Sequence, residues 1–157
     1  MNNVETQLQH ALAERFGSAV DVPADLPGLD NLRRMVEQSS QRRWADTAVP
    51  PELTRLLAAC ALCAPTKSYL QQADIVDVRD TAQRAALTAL TPSMPWLADA
   101  PALLVFCGNG RRFKRLFERA GQAFSNDHLD SFFNATVDAS LVMMNFINAA
   151  AAVGLVS

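Results

Sequence analysis

Residues 127–152 hold neither proline nor glycine, and apolar residues return along them every three or four positions. Leu129, Phe132, Phe133, Val137, Leu141, Met144, Ile147 and Ala151 recur at that spacing, which predicts one long helix with a continuous apolar side. Such a side must be covered, by the rest of the chain, by a second molecule or by lipid. The stretch from Ala139 to Ser157 lacks Asp, Glu, Lys and Arg and is about long enough to span a bilayer. Ser140, Asn145, Asn148 and Gly154 interrupt it, Asp138 adjoins it, and no Lys/Arg cluster flanks it. The helix therefore reads as a buried core helix or a subunit interface, with no membrane partner.

The remaining pattern is mostly helical. Residues 6–16 carry Leu8, Leu12 and Phe16 on one side and stop at Gly17. Residues 20–28 hold two prolines and a glycine and read as a linker, so 1–28 forms an N-terminal helical arm ahead of a main domain at 29–157. A short helix over 29–37 turns Leu29, Leu32, Met35 and Val36 inward. Pro50-Pro51 opens the next helix, whose apolar face is Leu53, Leu56, Leu57 and Cys60, and which ends near Ala64 because Pro65 disfavours helical geometry before it. Residues 75–78 are a strand candidate, 81–90 a helix, and Trp96-Leu97 anchors the loop that follows. Residues 102–107 form an unbroken apolar run, the pattern of a central strand buried on both faces. An amphipathic helix spans 111–120. Two strands alone make no stable open sheet, so further strands are expected beyond Ser157.

At 157 residues the chain is one domain by length, and a net charge of -2 gives no case for nucleic-acid binding. Met1-Asn2-Asn3-Val4-Glu5 has no secretory signal character. Three cysteines form no disulfide framework, and a cytoplasmic location fits.

Most motif-like fragments reduce to structure. Cys60-Ala61-Leu62-Cys63 sits at the C-terminal end of a helix, where the dipole raises rather than lowers a thiol pKa, so its cysteines read as small apolar residues. His10 and His128 share no metal-ligand spacing and suit surface or capping roles. Arg111 to Arg119 is locally basic: a solvated face over Phe113, Leu116 and Phe117, or an attractor for an anionic substrate through Arg112 and Arg115. Gly108-Asn109-Gly110 follows a strand but lacks the third glycine of a dinucleotide fingerprint.

Two segments remain. Ser39-Ser40-Gln41-Arg42 and Pro65-Thr66-Lys67-Ser68-Tyr69 each place hydroxyls and a cation on a turn beside a helix. Such a turn can offer hydroxyl, cationic and backbone N–H donors to an anion. The same residues can equally cap and turn while Arg42 and Lys67 face water.

The order of the pieces resembles the FMN-dependent nitroreductase superfamily. Ser40-x-Arg42-x-Trp44 is followed by a helix ending Ala64-Pro65-Thr66-x-Ser68-x-x-Gln71, then by a strand. Ala100-Pro101 precedes the second apolar strand, and Asp138, Asn145, Ala149-Ala150 and Gly154-Leu155 mark the long helix. The resemblance runs from about Leu29 to Ser157. It implies an α+β fold: a mixed, largely antiparallel sheet flanked by helices, with the long helix central to a homodimer and the C-terminal strands lying past Ser157. It also implies FMN at the dimer interface, reduced by NADH or NADPH and reoxidised by a small-molecule acceptor such as a nitroaromatic or quinone in a ping-pong cycle.

Residue by residue, the resemblance puts Gln38, Ser39, Ser40 and Arg42 on the first FMN-contact motif. Pro65, Thr66, Lys67 and Tyr69 fall on the second, which reaches FMN from the partner subunit. Gln38 stands where the family usually carries His or Arg, and Lys67 would supply the missing cation. No protein residue is assigned as catalytic and none as a metal ligand. The resemblance further implies that residues 1–157 alone hold FMN weakly or not at all. A non-catalytic dimerising or flavin-sequestering protein of the same fold is the alternative, and a helical interaction domain without flavin a third reading.

Overall fold

The computed structural model describes residues 3–23 and 26–156; Ala24 and Asp25 of the expected linker, together with Met1, Asn2 and Ser157, lie outside them. Six helices and a two-stranded antiparallel sheet make an α+β architecture among the described residues. In chain order these are α1 (Asn3–Phe16), α2 (Leu29–Glu37), α3 (Pro51–Leu62), β1 (Ala73–Asp77), α4 (Thr81–Ala89), β2 (Leu104–Gly108), α5 (Arg111–Arg119) and α6 (Leu129–Ala152). Contacts group them into two compact units, Met1–Gln41 with Ile147–Ser157, and Arg42–Phe146.

In the first unit α1 packs on α2, with Leu8 and Leu29 buried. Leu32 and Met35, expected to face inward on α2, are exposed. The end of α6 also lies in this unit, and it closes on its own backbone. Leu155 N–H donates to Ala150 O at 2.9 Å and Gly154 N–H to Ala151 O at 3.1 Å, with Gly154 at φ 80°. That is the Schellman arrangement, which satisfies the last carbonyls and needs a residue without a Cβ penalty at the left-handed position. The helix stop is thus written in Gly154 and needs no polar capping side chain.

In the second unit β1 and β2 pair antiparallel with Ile75 opposite Phe106 and Ala73 opposite Gly108. Asn109 N–H to Gln72 O (2.8 Å) and Val78 N–H to Leu103 O (2.9 Å) extend the ladder at both ends. A two-stranded ribbon has too little apolar surface to persist alone. Here α3 and α6 cover it: Ala61 and Ala64, Ala73 and Val142 form the core, with Ile75, Phe106, Ala139 and Phe146 packed against them. The Phe106 and Phe146 rings meet edge to face, 5.5 Å between centroids. On α3 the buried positions are Thr54, Leu57 and Ala61, whereas Leu56 and Cys60 face out. β2 is half-buried along most of its length rather than covered on both faces, since only one edge and one side of the ribbon have partners among the described residues.

The largest departure from the sequence pattern is on α6. Its inward face is Ser131, Asn134, Ala135, Asp138 and Val142, and the apolar stripe points away. Leu129 is 77% exposed, Phe132 69% and Phe133 62%. The reason is close packing on the sheet. A Cβ built on Gly108 would lie 3.0 Å from the Ala135 carbonyl oxygen, so this approach admits only small residues. Of the two readings of the apolar stripe, core helix or subunit interface, the core one does not hold for Leu129, Phe132 and Phe133.

Candidate functional site

The segment between α3 and β1 has the most unusual backbone among the described residues. Ser68, Tyr69 and Gln71 sit at φ 52°, 56° and 49°, the left-handed region, and none is glycine. Each such residue costs on the order of 1 kcal/mol or more, so three within four positions require strong local restraint. The restraint is visible. Asp138 of α6, fully buried, accepts the Lys67 N–H on Oδ1 at 3.2 Å and the Gln72 N–H on Oδ2 at 3.0 Å. Thr66 Oγ1 accepts the Gln71 N–H at 3.3 Å. Arg112 of α5 donates through Nη1 to Gln71 O at 2.8 Å and through Nη2 to Asp74 Oδ1 at 2.9 Å, while Asn109 Nδ2 donates to the other Asp74 oxygen.

With its backbone tied inward, the loop turns its side chains out. Tyr69 is 94% exposed, and the Lys67 ammonium pairs with no carboxylate among the described residues. Pro65, Thr66 and Lys67 share a pocket of about 280 Å³ with Phe133, Val137 and Leu141 of α6. Thr66 also borders, with Gln71, a cavity of about 460 Å³ lined by Ala73, Ile75 and Val142.

The first predicted segment divides between the two units. In the first unit, Gln38 ends α2 and its carbonyl accepts from Arg15, Ser39 Oγ accepts from Gln41 Nε2 at 3.0 Å, and Ser40 is exposed. A cleft of about 290 Å³ borders Gln38 and Ser39 there, walled by Arg34 and Gly154. Arg34 itself donates to Ala151 O at 2.9 Å. In the second unit, the Arg42 guanidinium lies 5.0 Å above the centre of the Trp96 ring. Trp44 Nε1 donates to the Trp96 main-chain carbonyl at 2.9 Å, which ties the segment after Arg42 to the backbone that carries the Trp96 ring. Among the described residues Arg42 has no carboxylate partner.

Arg112 is therefore a clamp on the 66–72 loop rather than a free cation on a basic helix, whereas Arg111 and Arg115 are exposed. Lys114 pairs with Asp127, which holds its ammonium above the ordinary range by hydrogen bonding. Cys60 and Cys63 are free, and the Cys63 thiol donates to Ala59 O. His128 Nδ1 accepts the Asp130 N–H at 3.2 Å at the start of α6, a capping contact. No group of three or more His, Cys, Asp or Glu is placed to hold a metal among the described residues.

Sequence reasoning gave Asp138 no role. A signal was present: one carboxylate interrupting an apolar helix is stable only if buried against donors.

These features define a helix-flanked α+β protein with a restrained, outward-facing polar loop at the edge of its sheet. Residues 35–157 match the nitroreductase family, and the chain belongs to it. The FMN reductase (NADPH) of Bacillus subtilis (strain 168) is 27% identical over 128 residues, covering 80% of this chain and 51% of that protein. The structure of the NfrA1 nitroreductase from B. subtilis superposes with a TM-score of 0.75 at 26% identity over 79% of this chain and 51% of the other. The NADPH:FMN oxidoreductase from Vibrio harveyi, solved in complex with NAD+, shares the fold at a TM-score of 0.72 and 22% identity. The chain spans about half the length of the curated relatives it matches.

Proposed function

We propose that this chain serves a cytoplasmic, homodimeric FMN-dependent oxidoreductase passing electrons from NADH or NADPH to a nitroaromatic, quinone or related acceptor in a ping-pong cycle. Two relatives support the flavin and the donor by name, an FMN reductase (NADPH) and an FMN reductase [NAD(P)H], both of Bacillus subtilis (strain 168). The observation that carries the proposal is the loop at 65–72. Its backbone is committed to Asp138 and Arg112, and its Lys67 ammonium is not committed to any carboxylate among the described residues.

The donor set fits an anionic flavin. Lys67 and Arg42 would supply cations to the phosphate or to charge on the ring, and Ser40 and Thr66 hydroxyl donors. Gln38 and Ser39 would add polar contacts, and Pro65 and Tyr69 would wall the ring. When bound, FMN supplies the hydride chemistry through its ring, so the protein's part is to bind, orient and leave one face open. Accordingly no residue is assigned as a proton donor or acceptor. The exposed stripe of α6 supports the homodimer, because contiguous apolar surface of this kind marks an interaction site.

That same stripe supports a second reading, a dimerising or flavin-sequestering protein without turnover. NADPH oxidation with a quinone acceptor separates the two. Acceptor-dependent turnover supports the oxidoreductase; saturable FMN binding with no turnover supports the second reading.

A further inference from the structure

We infer that Asp138 is a positioning residue: its buried carboxylate holds the 66–72 loop in the strained form that presents Lys67 and Tyr69 outward. The inference rests on the reading of Pro65–Tyr69 as a flavin contact and deepens it.

Two orphan amides bracket the loop, Lys67 N–H at its start and Gln72 N–H at its end, and both point at one side chain. Between them lie the three left-handed residues, Ser68, Tyr69 and Gln71. Without an acceptor, the Gln72 amide would be buried and unpaired, and the cheaper course is for the loop to relax toward ordinary dihedrals. Relaxation would move Lys67 and Tyr69, the residues with least holding of their own. Thr66 Oγ1 and Arg112 brace Gln71 but leave the Lys67 amide free. Among the described residues only Asp138 spans both ends. Its place on α6, four residues before Val142 of the core, ties the loop to the most buried part of the helix.

Asp138→Asn tests this, because the amide keeps the shape but turns an N–H toward one of the two donors. Val142→Ala is the control, since it destabilises the same helix and removes none of the loop's hydrogen bonds. We expect Asp138→Asn to lose about tenfold in exchange protection at the Lys67 and Gln72 amides and to bind FMN about tenfold more weakly. Val142→Ala should do neither at matched thermal stability. Adding Gln71→Gly to Asp138→Asn should restore part of the FMN affinity, because glycine takes φ near +50° without steric cost; a purely packing role for Asp138 predicts no such recovery.

In the unaltered chain, the Lys67 and Gln72 amides should exchange about tenfold more slowly than those of Ser68 and Tyr69, whatever the variants do. Equal rates there, or equal effects of Asp138→Asn and Val142→Ala, overturn the inference. If Lys67→Ala weakens FMN binding and Asp138→Asn does not, positioning fails while the flavin reading stands. If neither substitution changes FMN affinity, the flavin reading itself fails, and the inference with it.

Discussion

Replacing Phe133 with alanine should weaken self-association of this protein without unfolding it. Phe133 is 62% exposed on the outward side of α6, in a stripe with Leu129, Phe132, Leu141 and Met144. A phenylalanine side chain carries roughly 200 Å² of surface, so about 120 Å² of it remains for a partner to cover. At about 25 cal/mol per Å² that is about 3 kcal/mol per copy, and a two-fold interface contains two copies. Part of this surface is still covered after truncation, and interface costs absorb a share of the rest. A net loss of about 2–3 kcal/mol per dimer is expected, a dissociation constant raised about 30- to 150-fold. Sedimentation equilibrium over a concentration series measures it, with Leu116→Ala, exposed on α5, as a variant that should leave the constant alone. A wild-type chain monomeric at several hundred micromolar, or a Phe133→Ala chain with an unchanged constant, would refute the reasoning.

Gly108→Ala should cost about 1–3 kcal/mol of stability in urea titration, because its Cβ meets the Ala135 carbonyl oxygen at 3.0 Å on the packed side of α6. A neutral effect would mean that β2 and α6 are not in the close contact described. Hydrogen bonds from Arg33 and then Arg34 hold the Asp30 carboxyl below its ordinary value of 3.8. A depressed folded-state pKa gives stability that is present above the unfolded value and lost as pH falls through the folded one. Asp30→Asn should therefore lower the thermal midpoint at pH 7, and the gap from wild type should close below about pH 4. The group is exposed, so added salt should also shrink the gap. A gap independent of pH and salt would contradict this assignment.

Much of the fold was legible because periodicity and punctuation agree. α2 falls where its spacing and Gly28 put it, α3 opens on Pro51 as a first-turn proline should, and both strands sit on the two apolar runs. Which face each helix buries was less legible. Hydropathy marks a stripe through Phe132, Phe133 and Leu141 without choosing between core and subunit interface, and the sheet accepts Ser131, Ala135 and Asp138 instead, because close approach to Gly108 selects small side chains. The site was half legible. Thr66 and Lys67 stand on a turn as their composition requires, but nothing local in the sequence gives Ser68, Tyr69 and Gln71 positive φ. Their conformation is imposed by Asp138 and Arg112, far along the chain, and tertiary restraint of that kind leaves no mark in the segment it acts on.

The central claim is that the loop after α3 presents Lys67 to FMN. Titration of the complete protein with FMN, followed by flavin fluorescence, tests it when wild type and Lys67→Ala are measured side by side. A charge-assisted hydrogen bond to an anionic group contributes about 1.5–3 kcal/mol, so the account predicts saturable wild-type binding that Lys67→Ala weakens about 10- to 150-fold. No saturable binding at millimolar FMN, or equal affinity of the two chains, would contradict it.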